Sequence, residues 1–254
     1  MEYVIVLVVA FGASMLTFFS GFGLGTMLTP AFILFFPPEI AVAATAIVHF
    51  TNNLFKLTLI GKHAVKEVVL KFGVPAILGA FLGAWLLGMV SHNADHSVQL
   101  MGFETSAINL LIGIMIIVFS LFELIPALKK LEFGKQWLVP GGIISGFFGG
   151  VSGHQGALRS AFLIKVPMSK EQFVASGIVI ACFVDTMRIG TYAFTFDFSS
   201  IADSIGLIIA ATGCAFVGAI IGRRLLKKVT INALQTIVGV LMIAIGFVVM
   251  LGIA

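Results

Sequence analysis

The sequence predicts an all-α, polytopic helical membrane protein, and two observations carry this prediction. Hydrophobic residues make up 59% of the 254 residues, charged residues only 10%, and the mean hydropathy is +1.14. Soluble domains have about 45–50% apolar and about 25% charged residues. The apolar residues also form runs of about 20, the length that crosses a hydrocarbon core of about 30 Å. A soluble fold is therefore excluded.

Six of these runs predict full transmembrane helices, at 39–60, 67–90, 105–127, 170–195, 203–222 and 231–253. Two further apolar stretches, 3–36 and 137–166, are too long for a single span. A polar, glycine-rich segment interrupts each of them, at 20–26 and at 149–156. Each stretch is therefore predicted to be a broken hairpin, in which two short helices meet at membrane depth.

Residue matches between the two halves indicate an internal duplication. Ser20 matches Ser152 and Glu39 matches Glu171, both within an offset of about 130–132 residues. Each half contains one broken hairpin and three transmembrane helices. The predicted repeats are residues 1–128 and 129–254.

The basic residues predict opposite orientations for the two halves. Lysine and arginine cluster in loops that are therefore expected in the cytoplasm, near Lys66, Lys130 and Arg224. The loops at 91–104 and 196–203 contain acidic residues but no lysine or arginine and are expected outside. The stretches 137–166 and 170–195 together then cross an odd number of times, and Lys165 and Lys170 favour a cytoplasmic loop between them. The broken hairpin of the second half should therefore be re-entrant, and the halves form an inverted repeat. For the N-terminal hairpin, a re-entrant path and a full crossing both stay open.

Several classes of function find no support in the sequence. The net charge of the chain is +4. In a membrane protein such an excess of lysine and arginine usually lies in the cytoplasmic loops, so it does not predict a nucleic-acid partner. Cys182 and Cys214 lie in apolar runs without a CxxC pattern, which argues against a disulfide framework or a zinc site. The segment from His92 to His96 is interpreted as a solvated loop. No enzyme or ATPase motif is present, so we predict no enzyme, no metal and no cofactor.

Inverted repeats with discontinuous helices are typical of secondary transporters, whose halves rock around a site at the bilayer midplane. Irregular backbone survives there only inside protein or along a cavity, so the two glycine segments should face each other. The N–H groups of a half-helix that starts after such a break suit an anion. The alternative is that these glycines only allow close helix packing.

Ionisable residues inside the apolar stretches are functional candidates, because a charge near the bilayer centre costs at least about 2.5–3.5 kcal/mol. Arg159 follows the second glycine segment, and its guanidinium suits an oxyanion. Asp185 and Arg188 share one helix face and form either a structural ion pair or part of the site, with Asp185 a candidate for ion coupling. Lys56 either faces the cavity or extends to the cytoplasmic interface.

Two histidines, His49 and His154, lie within apolar stretches. Either could carry a proton for coupling, because the ordinary histidine pKa of about 6.5 is close to the working range. A histidine that only satisfies a backbone carbonyl is the alternative for each. His49 shares a helix face with Asn52 or Asn53 and with Lys56, and this face is predicted to meet the cavity.

Two sets of residues resemble the TauE/SafE sulfite exporter family: the segment 20–26 with Pro30 and Pro37, and its echo at 149–153 with Glu171 and Ala175. Members of that family are small membrane proteins with two related halves that move sulfur-containing anions. The resemblance implies that the substrate site lies at the two glycine segments and the helix starts after them. Here the second segment adds His154, Gln155 and Arg159, which concentrates the polar chemistry in the second half.

The combined prediction is a secondary transporter that exports a sulfite-, thiosulfate- or sulfonate-type anion by alternating access across the bacterial plasma membrane. An anion channel and a proton-coupled anion importer are the alternatives, and a membrane enzyme or assembly partner is the alternative from another class. Proton or sodium coupling and homo-oligomerisation stay open. The expected site residues are Ser20, Gly21, Gly23, Gly25, Thr26, Asn53, Lys56, Ser152, Gly153, His154, Gln155, Gly156, Arg159 and Arg188.

Overall fold

The protein is seen in a computed structural model that describes residues 2–20, 24–92, 97–196, 201, 204–225 and 232–253. Most of these residues are α-helical, which confirms the predicted class. Short 3₁₀ turns at Gly61–His63 and Lys135–Trp137 and a π-helical segment at Val69–Gly73 connect some of the helices. The α-helices are α1 (Glu2–Ser20), α2 (Leu24–Ile33), α3 (Pro38–Ile60), α4 (Lys66–Val68), α5 (Val74–His92), α6 (Ala107–Leu124), α7 (Pro126–Lys129), α8 (Leu138–Ser152), α9 (Gly156–Leu163), α10 (Lys170–Thr195), α11 (Ile205–Leu225) and α12 (Asn232–Met250).

Five of the predicted spans are helices long and apolar enough to cross a membrane. Within the described residues these are Pro38–His63, Lys66–His92, Ala107–Leu124, Lys170–Thr195 and Ile205–Arg224. The sixth predicted span, 231–253, corresponds to α12, which is apolar over Thr236–Met250. The chain is therefore an integral, multi-pass membrane protein.

Local sequence explains where the two central helices begin. Ser169 and Gln172 form a capping box at the start of α10: Ser169 Oγ accepts from the Gln172 N–H at 3.2 Å, and Gln172 Oε1 accepts from the Ser169 N–H at 2.9 Å. This satisfies two of the helix's free N–H donors. Helix α3 begins at Pro38, where proline has no N–H to lose and already has a helical φ.

An interruption is described in the second apolar stretch, between α8 and α9, whereas residues 21–23 of the first stretch lie outside the described part of the chain. Helix α1 ends at Ser20 and α2 begins at Leu24, while Gly21, Gly23 and the side chain of Ser20 lie outside the described residues. Helix α8 ends because Gly153 adopts a left-handed φ of 80°, which glycine tolerates without steric cost. The path of the two hairpins through the bilayer stays a prediction.

Other glycines bring α5 and α8 into backbone contact. A Cβ atom on Gly83 would lie 2.0 Å from the carbonyl oxygen of Phe147, and a Cβ atom on Gly146 would lie 2.1 Å from that of Ala76. Neither position has room for a side chain. These two glycines, which lie outside the predicted break segments, therefore serve close helix packing, a role that differs from that of Gly153.

Helices of the two halves pack across one another. Helix α1 packs along α11 and α8 along α5, while α3 meets α10 and α6 meets α12. In the predicted correspondence of the two halves, α1 matches α8 and α11 matches α5, so these two contacts are equivalent. The main hydrophobic cores accordingly contain side chains from both halves. The inverted orientation and the repeat boundary at residue 128 stay predictions.

The region predicted as a loop at 91–104 contains most of an antiparallel β-hairpin that was not predicted from the sequence. Strand β1 (Ser97–Leu100) pairs with β2 (Phe103–Ser106). Met101 and Gly102 connect them with φ values of 53° and 87°, the positive pair that a type I′ turn requires. The hairpin therefore ends immediately before α6.

Candidate functional site

Asp185 of α10 binds one side chain from each of the two central helices. Its Oδ2 lies 2.6 Å from Nδ1 of His49 in α3, and its Oδ1 accepts from Nε of Arg188 at 2.9 Å. Asp185 and Arg188 are fully buried, and His49 exposes only 4% of its surface. Buried charges need such partners. Asp185 and Arg188 thus form an ion pair within α10, and His49 of α3 joins this pair through Asp185.

The polar face of α3 meets α10, as expected for His49 and Asn53. Because a carboxylate only accepts hydrogen bonds, His49 Nδ1 donates to Asp185. The amide nitrogen of Asn53 lies 3.3 Å from Nε2 of the same ring. Both ring nitrogens thus contact polar groups within the protein.

Lys56 is buried, with 1% of its surface exposed, so the alternative that it extends to the cytoplasmic interface is wrong. When the Asn52 amide is oriented so that both of its atoms find partners, its oxygen accepts from Lys56 Nζ at 2.9 Å and from Ser14 Oγ at 3.0 Å, and its nitrogen donates to the carbonyl oxygen of Ala215 at 3.2 Å. Asn52 therefore ties Lys56 to α1 and α11. These contacts keep the ammonium group inside the helix bundle.

Gly153 makes room for Arg188 at the second break. A Cβ atom on Gly153 would lie 2.7 Å from Nη1 of Arg188, so a larger residue would displace the guanidinium. One turn further along α10, the Tyr192 hydroxyl donates to the carbonyl oxygen of Gly150. The end of α8 is thereby fixed against α10.

The two breaks approach each other, as the sequence analysis expects. A Cβ atom on Gly25, near the start of α2, would lie 3.1 Å from the carbonyl oxygen of Gly153. The next residue, Thr26, is buried. At the second break, Ser152 is also buried and Gly156 begins α9. The predicted break residues that the structure describes, from Gly25 and Thr26 to Ser152, Gly153 and Gly156, thus lie inside the protein, with direct approach at Gly25 and Gly153.

Arg159 of α9 lines a small cavity together with His49, Asn53 and Gly177. A Cβ atom on Gly177 would lie 3.2 Å from Arg159 Nε, so the side chain runs against the backbone of α10. Its Nη1 is buried and has no hydrogen-bond partner among the described residues. The cavity has a volume of about 30 Å³, enough for about one or two water molecules.

His154 and Gln155 lie within the second break. Nδ1 of His154 is 3.0 Å from the carbonyl oxygen of Ser152, and the ring stacks on Phe119 with a centroid distance of 5.4 Å. One ring nitrogen of His154 therefore contacts a backbone carbonyl, as the alternative for this residue predicts. Nε2 of His154 and both amide atoms of Gln155 are buried without a hydrogen-bond partner in the described part of the chain.

We define the buried charge cluster as His49, Lys56, Arg159, Asp185 and Arg188. Charges of Lys56 and Arg159 act on each other, and Arg159 also interacts with Asp185. Besides His49, the cluster contains three cationic side chains and one carboxylate. It therefore has an excess of positive charge in a region where burial strengthens electrostatic interactions.

Several supporting residues were not predicted from the sequence: Ser14, Phe119, Ser145 and Tyr192. Ser145 Oγ donates to the carbonyl oxygen of Gln155 at 3.2 Å and so holds the two sides of the second break together. A lone polar residue in an apolar helix could have indicated Ser14 and Ser145. Nothing in the sequence marks Phe119 among 25 phenylalanines.

Comparison with known families agrees with the resemblance seen in the motifs. The family model described as "Sulfite exporter TauE/SafE" matches residues 6–249. No curated protein matches the sequence. The matched region includes both breaks and the whole buried charge cluster.

Proposed function

Because this chain belongs to the TauE/SafE sulfite exporter family, we propose that it is a secondary transporter that exports a small sulfur-containing anion of the sulfite, thiosulfate or sulfonate class. The family is one of membrane transporters, so the proposed activity moves a solute and converts none. We place the protein in the bacterial plasma membrane. We further propose that the anion binds where the two helix breaks approach each other.

The excess of basic side chains in the buried charge cluster is the observation that carries the proposal. Lys56 and Arg188 are almost wholly buried, and burying an uncompensated charge is costly. A bound anion would balance the cluster and accept hydrogen bonds from guanidinium groups, which suit oxyanions in geometry and charge. Arg159 Nη1, which has no partner among the described residues, is a ready donor.

Alternating access is supported by how the helices of the two halves are joined. His49 and Asp185 connect α3 to α10, helices that occupy matching places in the two halves. The anion would compete with Asp185 for Arg188, so that binding and release change the contacts between these helices. Such a coupling between site occupancy and helix contacts is what a carrier needs to move its site from one side to the other.

The direction follows from the membrane potential. An interior-negative potential contributes about 2.3 kcal/mol per 100 mV for each negative charge that leaves the cell. Export of an anion therefore needs no coupled ion. Uptake would need one, and the ion pair of His49 with Asp185 supports a proton-coupled importer as the second candidate, since both groups can exchange protons.

The proposal is tested by flux measurements on purified protein reconstituted into liposomes. We expect the protein to move sulfite, thiosulfate or a small sulfonate with saturable kinetics, and empty liposomes to show no such flux. A proton gradient should accelerate flux only if the importer is the correct candidate. Unitary currents would show an anion channel instead, and transport of none of these anions would refute the proposal.

A matched pair of variants tests the place of the site. Arg159→Ala removes a donor of the cavity without breaking the ion pair of Asp185, and we expect flux at low substrate concentration to fall about tenfold or more, because hydrogen bonds to charged groups contribute about 1.5–3 kcal/mol. Arg224→Ala removes an exposed arginine at the end of α11 and should leave flux unchanged. Equal effects of the two changes would contradict the proposed site.

A further inference from the structure

Four buried polar atoms at the second break have no hydrogen-bond partner among the described residues: Nε2 of His154, Nε2 and Oε1 of Gln155, and Nη1 of Arg188. All three side chains expose 2% of their surface or less. They lie around Gly153, because His154 and Gln155 follow it directly and Arg188 packs against it. Buried polar atoms without partners are rare, and a group of them indicates a missing water, ion or ligand.

The contacts of His154 fix which of its ring nitrogens bears hydrogen. Nδ1 lies 3.0 Å from the carbonyl oxygen and 3.0 Å from the hydroxyl oxygen of Ser152. The carbonyl oxygen can only accept, and the hydroxyl already donates to the carbonyl oxygen of Phe148 at 3.2 Å. Nδ1 is therefore the donor in both contacts. In the neutral ring, Nε2 then presents a lone pair and needs a hydrogen-bond donor.

The other free atoms around Gly153 include two donors that suit an anion. Nη1 of Arg188 and Nε2 of Gln155 can each donate to a negatively charged oxygen. Oε1 of Gln155 can accept from a water that enters with the ligand. The ligand that matches these groups must therefore offer several acceptor oxygens and one donor for His154.

We infer that the transported anion binds at the second break as a monoanion that retains one acidic hydroxyl, and that this hydroxyl donates to Nε2 of His154. Hydrogen sulfite, in its form with an S–OH group, is the member of the sulfite class with this chemistry. The inference rests on the proposed function and names the protonation state that the site selects.

Anions without a hydroxyl fit the break less well. Sulfite and thiosulfate dianions and sulfonates have only acceptor atoms, so they would face the lone pair of Nε2 or leave it unpaired. The ring is packed by Phe119 of α6, and Arg188 of α10 is the charged side chain that acts on it. An imidazolium at His154 would instead favour the dianion, and this alternative gives the opposite dependence on pH.

The test is calorimetric titration of the purified full-length protein with sulfite at pH values on both sides of the second ionisation of sulfurous acid. Methanesulfonate, a monoanion of similar size without a hydroxyl, is titrated in parallel and reports any effect of the protein's own ionisations. Relative to methanesulfonate, the affinity for total sulfite should fall about tenfold for each pH unit above that ionisation. A ratio that stays constant or rises with pH would overturn the inference.

Two variants of His154 give an independent result. His154→Phe keeps a ring against Phe119 but removes the lone pair, so the preference for sulfite over methanesulfonate at low pH should fall at least tenfold. His154→Gln retains an acceptor and should keep part of the preference. An unchanged preference in folded His154→Phe, checked by gel filtration, would overturn the inference. If the wild type transports sulfite while its affinity does not follow the monoanion, only this inference fails; if it transports no sulfur anion, the proposed function fails as well.

Discussion

His49 and Asp185 are 136 residues apart in the sequence, yet their side chains meet at 2.6 Å between α3 and α10. Asp185 also holds Arg188, so one carboxylate serves a histidine from the first half and an arginine from the second. Removing this carboxylate leaves a buried guanidinium without its counter-charge. The stability of the bundle and the charge of the candidate site thus depend on the same residue.

We expect Asp185→Asn to lower the free energy of unfolding by about 3–5 kcal/mol, because breaking a buried ion pair leaves an uncompensated charge. Thermal unfolding in detergent measures the effect. The matched control is Glu67→Gln, whose carboxylate pairs with Lys71 at the surface with both side chains 59% exposed. Exposed pairs contribute about 0–1 kcal/mol, so equal shifts in the two variants would contradict the structural role of Asp185.

Lys56→Met should separate function from stability. Methionine has a similar length and removes a buried charge, so we expect thermal stability to stay the same or rise, while affinity for the anion falls about tenfold or more as one basic group is lost. Lys71→Met, at an exposed lysine, should change neither. Unchanged affinity in folded Lys56→Met would remove Lys56 from the site.

Gly153→Ala should abolish transport. Alanine at a φ of 80° is strained by about 1–2 kcal/mol, and its Cβ would lie 2.7 Å from Nη1 of Arg188. The control is Gly190→Ala in α10, where no atom lies within 4 Å of the new Cβ and helix propensity favours alanine. Flux in liposomes compares the two, and normal flux in Gly153→Ala would show that this backbone conformation is not needed.

The predicted orientation can be tested by labelling single cysteines in a variant without Cys182 and Cys214. Met101→Cys lies at the tip of the β-hairpin, where Met101 is 84% exposed, and it should react with a membrane-impermeant maleimide added to intact cells. Lys135→Cys, also at an exposed position, should react only after the membrane is opened. The reverse pattern would invert the predicted topology.

The sequence predicts the parts of this fold that depend on local composition. Hydropathy locates α3 and α10 to within a few residues. A long apolar run in a bilayer forms a helix because its backbone N–H and C=O groups must bond to each other in the absence of water. The glycine segment at 149–156 predicts the break at Gly153. Sequence alone does not separate Gly153 from Gly146, because a positive φ and a close helix contact both require glycine.

Long-range contacts were harder to anticipate. The sequence places His49 on a helix face that meets the cavity, but its pairing with Asp185 depends on how α3 and α10 are brought together. The burial of Lys56 depends on Asn52 and on its contacts to Ser14 and Ala215, which lie in other helices. The β-hairpin was missed because Met101 and Gly102 do not form the common Asn-Gly turn sequence.

The crossed packing of α1 on α11 and of α8 on α5 has a consequence for how such a chain could arise. Neither half of the sequence contains the main helix partner of its own first helix. If the predicted duplication is correct, a half-length ancestor would have completed its core only by exchanging that helix with a second copy, as in a domain-swapped dimer. On that prediction, the present chain corresponds to such a dimer with its two subunits joined end to end.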